Sequence, residues 1–323
     1  ITICRYNDVL WLIILRLRTQ TSIVVYFILL SIGRTGLKQD ELCMERCEKM
    51  KEICWKITVV EHCIFKDVGR GQTFYGAHNQ KNADFPEDQP GNVTILQGGG
   101  YNILVDTGFK NPQFIEAYNA ENVLKPETYL KPLNLHPDQI DAVLLSHLHY
   151  DHVGNIDCFK NAKVYVQRSE LEGWQWSADL SEDYKLLNCY LDPEDLKKLE
   201  QVKKEGRLIL SEDGMENIFP GIDLYLAKGH SYGTQVVRVK TKNGRYVVTG
   251  DAAYTLENII TMTPMGYGID QLDQLQSFEK ILMLADGNIN NVIPAHDLAW
   301  PTRFKSTEKL EGLPNRITFV TQN

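Results

Sequence analysis

The feature that most constrains the fold is an apolar run that ends in a cluster of metal-binding side-chain types. Residues 142–146 read Ala-Val-Leu-Leu-Ser, and His147, His149, Asp151 and His152 follow directly. A short continuous apolar run is typical of a strand that is buried on both faces. Imidazole and carboxylate groups are the ligands that Zn²⁺ and similar ions accept. The sequence therefore predicts a metal site at the end of a buried strand.

Three further residues of the same ligand types each follow a predicted strand. They are His230 after residues 222–227, Asp251 after residues 246–249 and His296 after residues 291–293. A single histidine is more often a hydrogen-bonded structural residue than a ligand. Three candidates in this order, each at the end of a strand, favour a shared site with the first cluster.

The rest of the pattern predicts strands that alternate with helices over residues 55–323. Further strands are predicted at residues 56–60, 93–96, 101–106, 163–167, 207–210 and 235–240. Helices are predicted at 114–124, 134–139, 169–205 and 272–285, and a loop at 69–92. This interleaving predicts two mixed sheets packed face to face, with helices outside, in a single domain.

Residues 1–54 are predicted to be an apolar and charged leader, disordered or not native. The apolar runs 9–15 and 22–33 are each shorter than the roughly 18–20 residues of a membrane helix. We expect translation to begin at Met44 or Met50, although the second run also resembles the core of a signal peptide.

Charge and cysteine content limit the partners and the compartment. The formal net charge of -8 disfavours nucleic acid and anionic membranes, which both require an excess of Lys and Arg. The 7 cysteines include no Cys-x-x-Cys spacing, and their odd number favours a reducing environment. We therefore expect a cytoplasmic protein with a small-molecule substrate and no stable membrane insertion. A secreted or membrane-anchored location stays open if the leader is real, and so does a homodimer.

Taken together, these motifs resemble the metallo-β-lactamase superfamily across residues 56–300. The resemblance rests on the motif His147-Leu-His149-Tyr-Asp151-His152, on the later residues His230, Asp251 and His296, and on the upstream turn Asp106-Thr-Gly108. The resemblance implies an α+β fold, the αββα sandwich. It also implies two Zn²⁺ ions, with Fe, Mn or Co as alternatives. By the family's pattern, the first ion is held by His147, His149 and His230, the second by Asp151, His152 and His296, and both by Asp251.

A closer similarity is to the quorum-quenching N-acyl-homoserine lactonases and pyridoxolactonase-type enzymes. It is carried by Gly229-His-Ser-Tyr-Gly233 and Asp251-Ala-Ala-Tyr254. The resemblance implies a dinuclear-metal hydrolase that opens a lactone ring with a metal-bridging hydroxide. Asp151 and Tyr254 are the expected catalytic residues, and Tyr254 is expected to bind the substrate carbonyl or the developing oxyanion. Thr234 stands where many lactonases have His, so a lactone other than an acyl-homoserine lactone stays open.

Two segments are candidate walls of the substrate site. One is the predicted loop 69–92, which contains Phe74, Tyr75 and Phe85, and the other is the helical segment 169–205. In the latter, Trp174 and Trp176 are equally suited to an apolar acyl pocket, to the core or to a dimer contact.

Three alternatives accompany the lactonase interpretation. The same fold can act on a thioester, an amide or a β-lactam, and Tyr254 does not exclude these. A nuclease of this superfamily is disfavoured by the net charge of -8. A purely structural metal site is disfavoured because such zinc sites are usually closed, single and rich in cysteine.

Overall fold

The chain divides into two units, Ile1–Glu52 and Ile53–Asn323. The computed structural model describes residues 53–77 and 86–321, and the backbone of three strands in the first unit. These strands are β1 (Thr2–Tyr6), β2 (Leu10–Arg18) and β3 (Ile23–Leu30), and they form an antiparallel sheet in that order. Among the described residues, no helix combines the length and apolar character needed to cross a bilayer.

The second unit is built on a 9-stranded sheet. Its strands are β4 (Lys56–Val68), β5 (Glu87–Gly98), β6 (Tyr101–Val105), β7 (Ala120–Glu121), β8 (Ala142–Leu144), β9 (Lys163–Gln167), β10 (Leu208–Ser211), β16 (Thr307–Lys309) and β17 (Arg316–Phe319). Their order is β10-β9-β8-β6-β5-β4-β17-β16, with β7 paired to β4. Because β6, β8, β9 and β10 run parallel, their carboxyl ends meet at one edge.

A 5-stranded sheet packs against the first one. It consists of β11 (Met215–Phe219), β12 (Ile222–Leu226), β13 (Gln235–Thr241), β14 (Gly244–Val248) and β15 (Val292–Ile293), in that order. Ile57 and Ile103 of the larger sheet share one core cluster with Leu224 and Val237 of the smaller sheet. The two sheets therefore enclose a common apolar layer.

Eight α-helices complete the unit within the described residues. They are α1 (Arg70–Thr73), α2 (Pro112–Ala117), α3 (Pro126–Leu130), α4 (Tyr150–Val153), α5 (Arg168–Ala178), α6 (Pro193–Lys204), α7 (Leu256–Thr261) and α8 (Gln271–Leu284). Short 3₁₀ segments span Lys131–Leu133, Pro137–Gln139, Ile156–Cys158, Glu182–Asn188, Gly250–Ala252, Ile289–Asn291 and Trp300–Arg303.

Strand β8 shows why the larger sheet needs a layer of helices. Its side chains alternate, so Ala142 and Leu144 join the cluster between the sheets, whereas Val143 joins a second cluster with Trp174 and Leu199 of α5 and α6. On the far side, α8 packs against β14. The layers therefore run helix, sheet, sheet, helix, and the predicted αββα sandwich is confirmed.

Several predicted elements differ from the structure. The predicted helix 114–124 ends with α2 at Ala117, because Asn119 and Asn122 adopt φ of 50° and 53° and the residues between them pair with β4. Of the predicted helix 134–139, only a 3₁₀ turn at Pro137–Gln139 forms.

The predicted loop 69–92 is also partly wrong. It contains helix α1, and its last residues belong to β5, which begins at Glu87. Residues 78–85, with Phe85, lie outside the described residues.

The sequence analysis also missed the C-terminal strands β16 and β17. Strand β17 pairs with β4, and the carboxylate of Glu61 accepts hydrogen bonds from the backbone N and the guanidinium of Arg316. Runs of 3 and 4 residues carry too little periodicity to indicate a strand.

We expect Phe278→Ala to lower the free energy of unfolding by about 3–5 kcal/mol. Phe278 is fully buried in α8 under the smaller sheet, and truncation of such a ring leaves a cavity. Leu272→Ala in the same helix is the control, because Leu272 is 64% exposed and its loss changes stability by about 0.5 kcal/mol or less. Denaturant unfolding of both variants checks this, and equal effects would contradict the assigned packing of α8.

Candidate metal centre and active site

The site begins where two parallel strands end side by side. Asp106 follows β6 and Ser146 closes the apolar run that contains β8, so the two residues are neighbours at the sheet edge. The Asp106 carboxylate accepts hydrogen bonds from the backbone N of Ser146 (2.7 Å) and from its hydroxyl (2.8 Å). This contact fixes the start of the loop that carries the first four candidate ligands.

One group of candidate ligands joins His147, His149, His230 and Asp251. All four are buried, and their ligand atoms lie within 4.8 Å of one another. His230 Nε2 is 3.0 Å from His149 Nδ1 and 3.2 Å from Asp251 Oδ2. His147 Nε2 is 3.7 Å from the same carboxylate oxygen.

A second group joins Asp151, His152 and His296. These are also buried, and their ligand atoms lie within 4.8 Å of one another. His152 Nε2 lies 3.3 Å from Asp151 Oδ2 and 3.1 Å from Asp251 Oδ1. His296 Nε2 is also 3.1 Å from Asp251 Oδ1.

Asp251 lies between the two groups. Mutual distance places it in the first group, but its Oδ1 faces His152 and His296 while its Oδ2 faces His147 and His230. A carboxylate can bind a different ion through each of its two oxygens, so the directions of Oδ1 and Oδ2 decide the position of Asp251. The geometry fits a bridging position.

Unpaired polar atoms indicate that these groups fit metal ions. His147 Nε2, His152 Nε2 and Asp251 Oδ1 are buried and have no hydrogen-bond partner. A buried polar atom without a partner costs about 1–3 kcal/mol, so natural structures seldom retain one without a reason. The donors are imidazole nitrogens and carboxylate oxygens, which suit Zn²⁺ and its first-row neighbours.

The outer nitrogens of three histidines are held by neighbouring groups. His152 Nδ1 is 2.9 Å from Asp106 Oδ2, and His147 Nδ1 is 2.9 Å from the hydroxyl of Ser146. His296 Nδ1 is 2.8 Å from the carbonyl oxygen of Pro90. Such contacts orient the ring and direct its other nitrogen towards a metal. The sequence analysis did not identify Ser146 or Pro90 in this role.

Burial and neighbouring charges set the protonation of the ligands. Burial, together with adjacent histidines, holds the pKa of His147 and of His149 well below the ordinary value, which leaves both rings neutral. Burial also lowers the pKa of His152 and His296, but the nearby carboxylates, with Asp251 the largest among them, together outweigh it and the net direction is upward. Burial raises the pKa of Asp251, but the surrounding histidines bring it well below its ordinary value. Asp251 is therefore ionised, as a metal ligand must be.

A cavity of about 390 Å³ opens onto the two groups. His149, Asp151, His230, Asp251 and His296 form part of its wall. Its other lining residues are Phe65, Lys66, Asp67, Val68, Gln72, Gln89, Ala117, Tyr118, Asn119, Tyr150, Tyr190, Tyr254 and Tyr267. Five tyrosines therefore face the space in which a substrate would lie.

The aromatic residues proposed as walls from the sequence lie elsewhere. Trp174 is buried in the core and packs edge-on against His149, with ring centroids 5.4 Å apart, while Trp176 is 56% exposed. Phe74 is buried and Tyr75 is exposed. None of the four lines the cavity. Each segment contributes other residues instead, among them Gln72, Gln89 and Tyr190.

Tyr254 lies next to the two groups of candidate ligands. It follows the 3₁₀ turn that carries Asp251, and its ring centroid is 4.9 Å from that of His296 and 5.5 Å from that of His230. Burial, with the nearby carboxylates, raises the pKa of Tyr254 well above its ordinary value, so the phenol keeps its proton and can donate it.

The structure thus brings all the sequence-predicted site residues together, and six of them, all except His147 and His152, line one cavity. The candidate ligands form two adjacent groups joined by Asp251, and Tyr254 lies beside them.

The protein-family comparison matches residues 86–296 to the metallo-beta-lactamase superfamily. An N-acyl homoserine lactonase of Bacillus cereus is 31% identical over 193 residues, which cover 55% of this chain and 70% of that protein. A probable metallo-hydrolase of Methanocaldococcus jannaschii is 31% identical over 195 residues, which cover 60% of this chain and 70% of that protein.

Solved structures share the fold at lower identity. An N-acyl homoserine lactone hydrolase with the product N-hexanoyl-L-homoserine bound at its catalytic metal centre aligns with a TM-score of 0.59 and 21% identity, covering 77% of this chain and 96% of that one. A dizinc quorum-quenching lactonase aligns with a TM-score of 0.60 and 16% identity, covering 83% of this chain and 95% of that one.

The family model spans strands β5 to β10 of the larger sheet and all of the smaller sheet. It also includes all seven candidate ligands and Tyr254. The predicted family and the prediction of a metal-dependent hydrolase are thereby confirmed. The chain is a member of the metallo-beta-lactamase superfamily.

Proposed function

We propose that the protein is a dinuclear-metal hydrolase that opens lactone rings, with N-acyl homoserine lactones as the leading substrate class. His147, His149 and His230 would hold one ion, Asp151, His152 and His296 the other, and Asp251 both. The observation that carries the proposal is the phenol of Tyr254 in a cavity that opens onto both groups of candidate ligands. The relatives named as N-acyl homoserine lactonases support the choice of a lactone.

The metals and the protein side chains have separate tasks in this reaction. Two bound Zn²⁺ ions would make hydroxide available near neutral pH and would polarise the lactone carbonyl. Tyr254 would donate a hydrogen bond to the carbonyl oxygen as negative charge develops there. A donor already held in place requires little reorganisation during the reaction.

The ring then opens at the bond between the acyl carbon and the ring oxygen. The oxygen of water joins the acyl carbon, and the ring oxygen leaves as an alkoxide that needs a proton. We assign the carboxylate of Asp151, which lines the same cavity, to relay the proton of the water to that oxygen. The product is a hydroxy acid, and no other reactant is required.

The phenol and amide groups of the cavity wall favour a substrate that has polar groups next to the scissile bond. Tyr190 and Tyr267 lie 5.2 Å apart by ring centroids, and Gln72 Nε2 donates a hydrogen bond to the Tyr267 hydroxyl. An amide next to a lactone ring offers both a donor and an acceptor to such a wall.

The described cysteines support the cytoplasmic assignment. Cys54, Cys63, Cys158 and Cys189 are all free thiols. We therefore also propose that the protein works in a reducing compartment.

A substrate panel tests the proposed function. Acyl-homoserine lactones of several chain lengths, simple γ-lactones, a thioester and a β-lactam are each offered to the zinc-loaded protein, with proton release or a chromogenic product as readout. We expect the homoserine lactones to have the highest kcat/KM. A higher value for the thioester or the β-lactam would contradict the proposal and select that bond instead.

We expect the wild-type protein to bind about two equivalents of zinc, and Asp251→Ala to lose both bound metal and activity. Asp251 has one oxygen towards each group, so its removal weakens both at once. Elemental analysis of protein grown with zinc gives the stoichiometry. Less than one equivalent in the wild type would rule out a dinuclear site. His149→Ala is expected to abolish activity as well.

Tyr254→Phe is expected to lower kcat by about 10²–10³-fold, the usual loss for one oxyanion donor, while zinc binding stays unchanged. This loss should be smaller than that of Asp251→Ala. Tyr246→Phe in β14 is the matched control, since Tyr246 is also buried but does not line the cavity. If both phenylalanine variants turn over lactone at the wild-type rate, Tyr254 has no part in the mechanism.

A further inference from the structure

A buried carboxylate outside the two metal groups accepts four hydrogen bonds. Glu170 lies in the first turn of α5 and is completely buried. Its Oε1 accepts from the backbone N of Leu148 (2.8 Å) and from Trp174 Nε1 (2.6 Å). Its Oε2 accepts from the hydroxyl of Ser231 (2.6 Å) and from the backbone N of Gly233 (2.7 Å).

Three of these donors, all except Trp174 of α5 itself, belong to the two loops that supply the imidazoles of the first group. Leu148 lies between His147 and His149, and Ser231 follows His230. The first loop leaves the larger sheet after β8, whereas the second connects β12 and β13 of the smaller sheet. One carboxylate of α5 therefore joins loops from both sheets.

Gly233 shows how closely the second loop approaches α5. A Cβ added at Gly233 would lie 2.3 Å from the backbone N of Glu170, so no larger residue fits without a shift of the backbone. The loop and the helix are thus in direct contact at the carboxylate, and a change in the hydrogen bonds of Glu170 acts directly on the loop.

All four partners are donors, so both oxygens of Glu170 must act as acceptors. Within residues 53–77 and 86–321, no Lys, Arg or His forms an ion pair with this carboxylate. Its negative charge is therefore compensated by the four hydrogen-bond donors. Burial raises the pKa of Glu170, while its hydrogen bonds favour the ionised form. A glutamine amide at this position would direct N–H groups towards one pair of donors and lose at least one hydrogen bond.

We propose that Glu170 is a positioning residue for the first metal group, and that it sets the distance between the loop of His147 and His149 and the loop of His230. The second group has its own supports, since His152 is held by Asp106 and His296 by the Pro90 carbonyl. The effect of Glu170 is therefore selective for one of the two ions. This inference rests on the metal pair of the proposed function but not on the lactone substrate.

Zinc affinity in Glu170→Gln tests the inference. The protein is titrated with zinc against a chromophoric chelator, which yields a dissociation constant for each of the two sites. We expect one constant to rise by about 10–100-fold, the usual cost of losing an outer support of a metal ligand, and the other to stay within about twofold of the wild type.

Glu172→Gln is the matched control. Glu172 lies in the same helix, its side chain is 63% exposed, and it makes only a long ion pair of 3.8 Å with Arg168. It removes the same charge from the same helix without touching either loop, and we expect wild-type zinc binding from it.

Thermal unfolding separates positioning from general stability. The melting temperature is measured without zinc and with excess zinc, because a ligand that binds only the folded state raises it according to its affinity. We expect the zinc-induced increase to be smaller in Glu170→Gln than in the wild type. A lower melting temperature with an unchanged zinc-induced increase would assign Glu170 a purely structural role. Either this outcome or equal weakening of both sites would overturn the inference.

Ser231→Ala provides a second test if Glu170→Gln does not fold. It removes one donor to Glu170 Oε2 and leaves the carboxylate in place, so we expect weaker zinc binding at one site, by a smaller factor. Wild-type affinity at both sites in every folded variant would overturn the inference alone. A wild-type protein that binds no zinc would overturn it together with the proposed function.

Discussion

The structure depends on the burial of seven candidate ligand side chains at the junction of two sheets. Histidine and aspartate are seldom buried without partners, because removing them from water is costly. Asp251 limits that cost by facing imidazoles on both sides, and Asp106 and Ser146 hold two of the rings from behind. What remains unpaired is a set of nitrogens and oxygens directed at one another across two small spaces. Such a set suits cations in those spaces.

The sandwich provides a rigid frame for this arrangement. Each ligand follows a strand or begins a short helix, so its backbone is fixed by the sheet before the side chain is considered. The parallel strands β6 and β8 bring Asp106 and Ser146 to the same edge, and the smaller sheet contributes His230, Asp251 and His296 from the opposite side. Glu170 connects the two contributions through hydrogen bonds to both loops. The geometry of the centre is therefore a property of the packing between the sheets.

The lining residues of the cavity that are not candidate ligands come from other segments of the chain. These include β4, β5, the segment after α2, the 3₁₀ region before α6 and the loop before α8, which are far apart in the sequence. Their phenol and amide groups differ in chemistry from the tryptophans that the sequence suggested for this role. The candidate metal centre is thus one compact group of residues, whereas the rest of the cavity wall is shared among several segments.

The sequence by itself determined most of the strands, and it predicted the candidate ligands and Tyr254, because these signals are local. An apolar run followed by His-x-His-x-Asp-His needs no tertiary information to be recognised, and the similarity to a known family supplied the sandwich. Only the tertiary structure decided which groups support the ligands and which residues face the substrate. Glu170 contacts Leu148, 22 positions away, and the Pro90 carbonyl contacts His296, 206 positions away. Ser146 is held by Asp106, 40 positions away. The helix predicted at residues 114–124 failed for the same reason, since pairing of β7 with β4 outweighs the local helical preference. Long-range contacts leave no periodic pattern in a sequence. They can therefore be identified only once the fold is known.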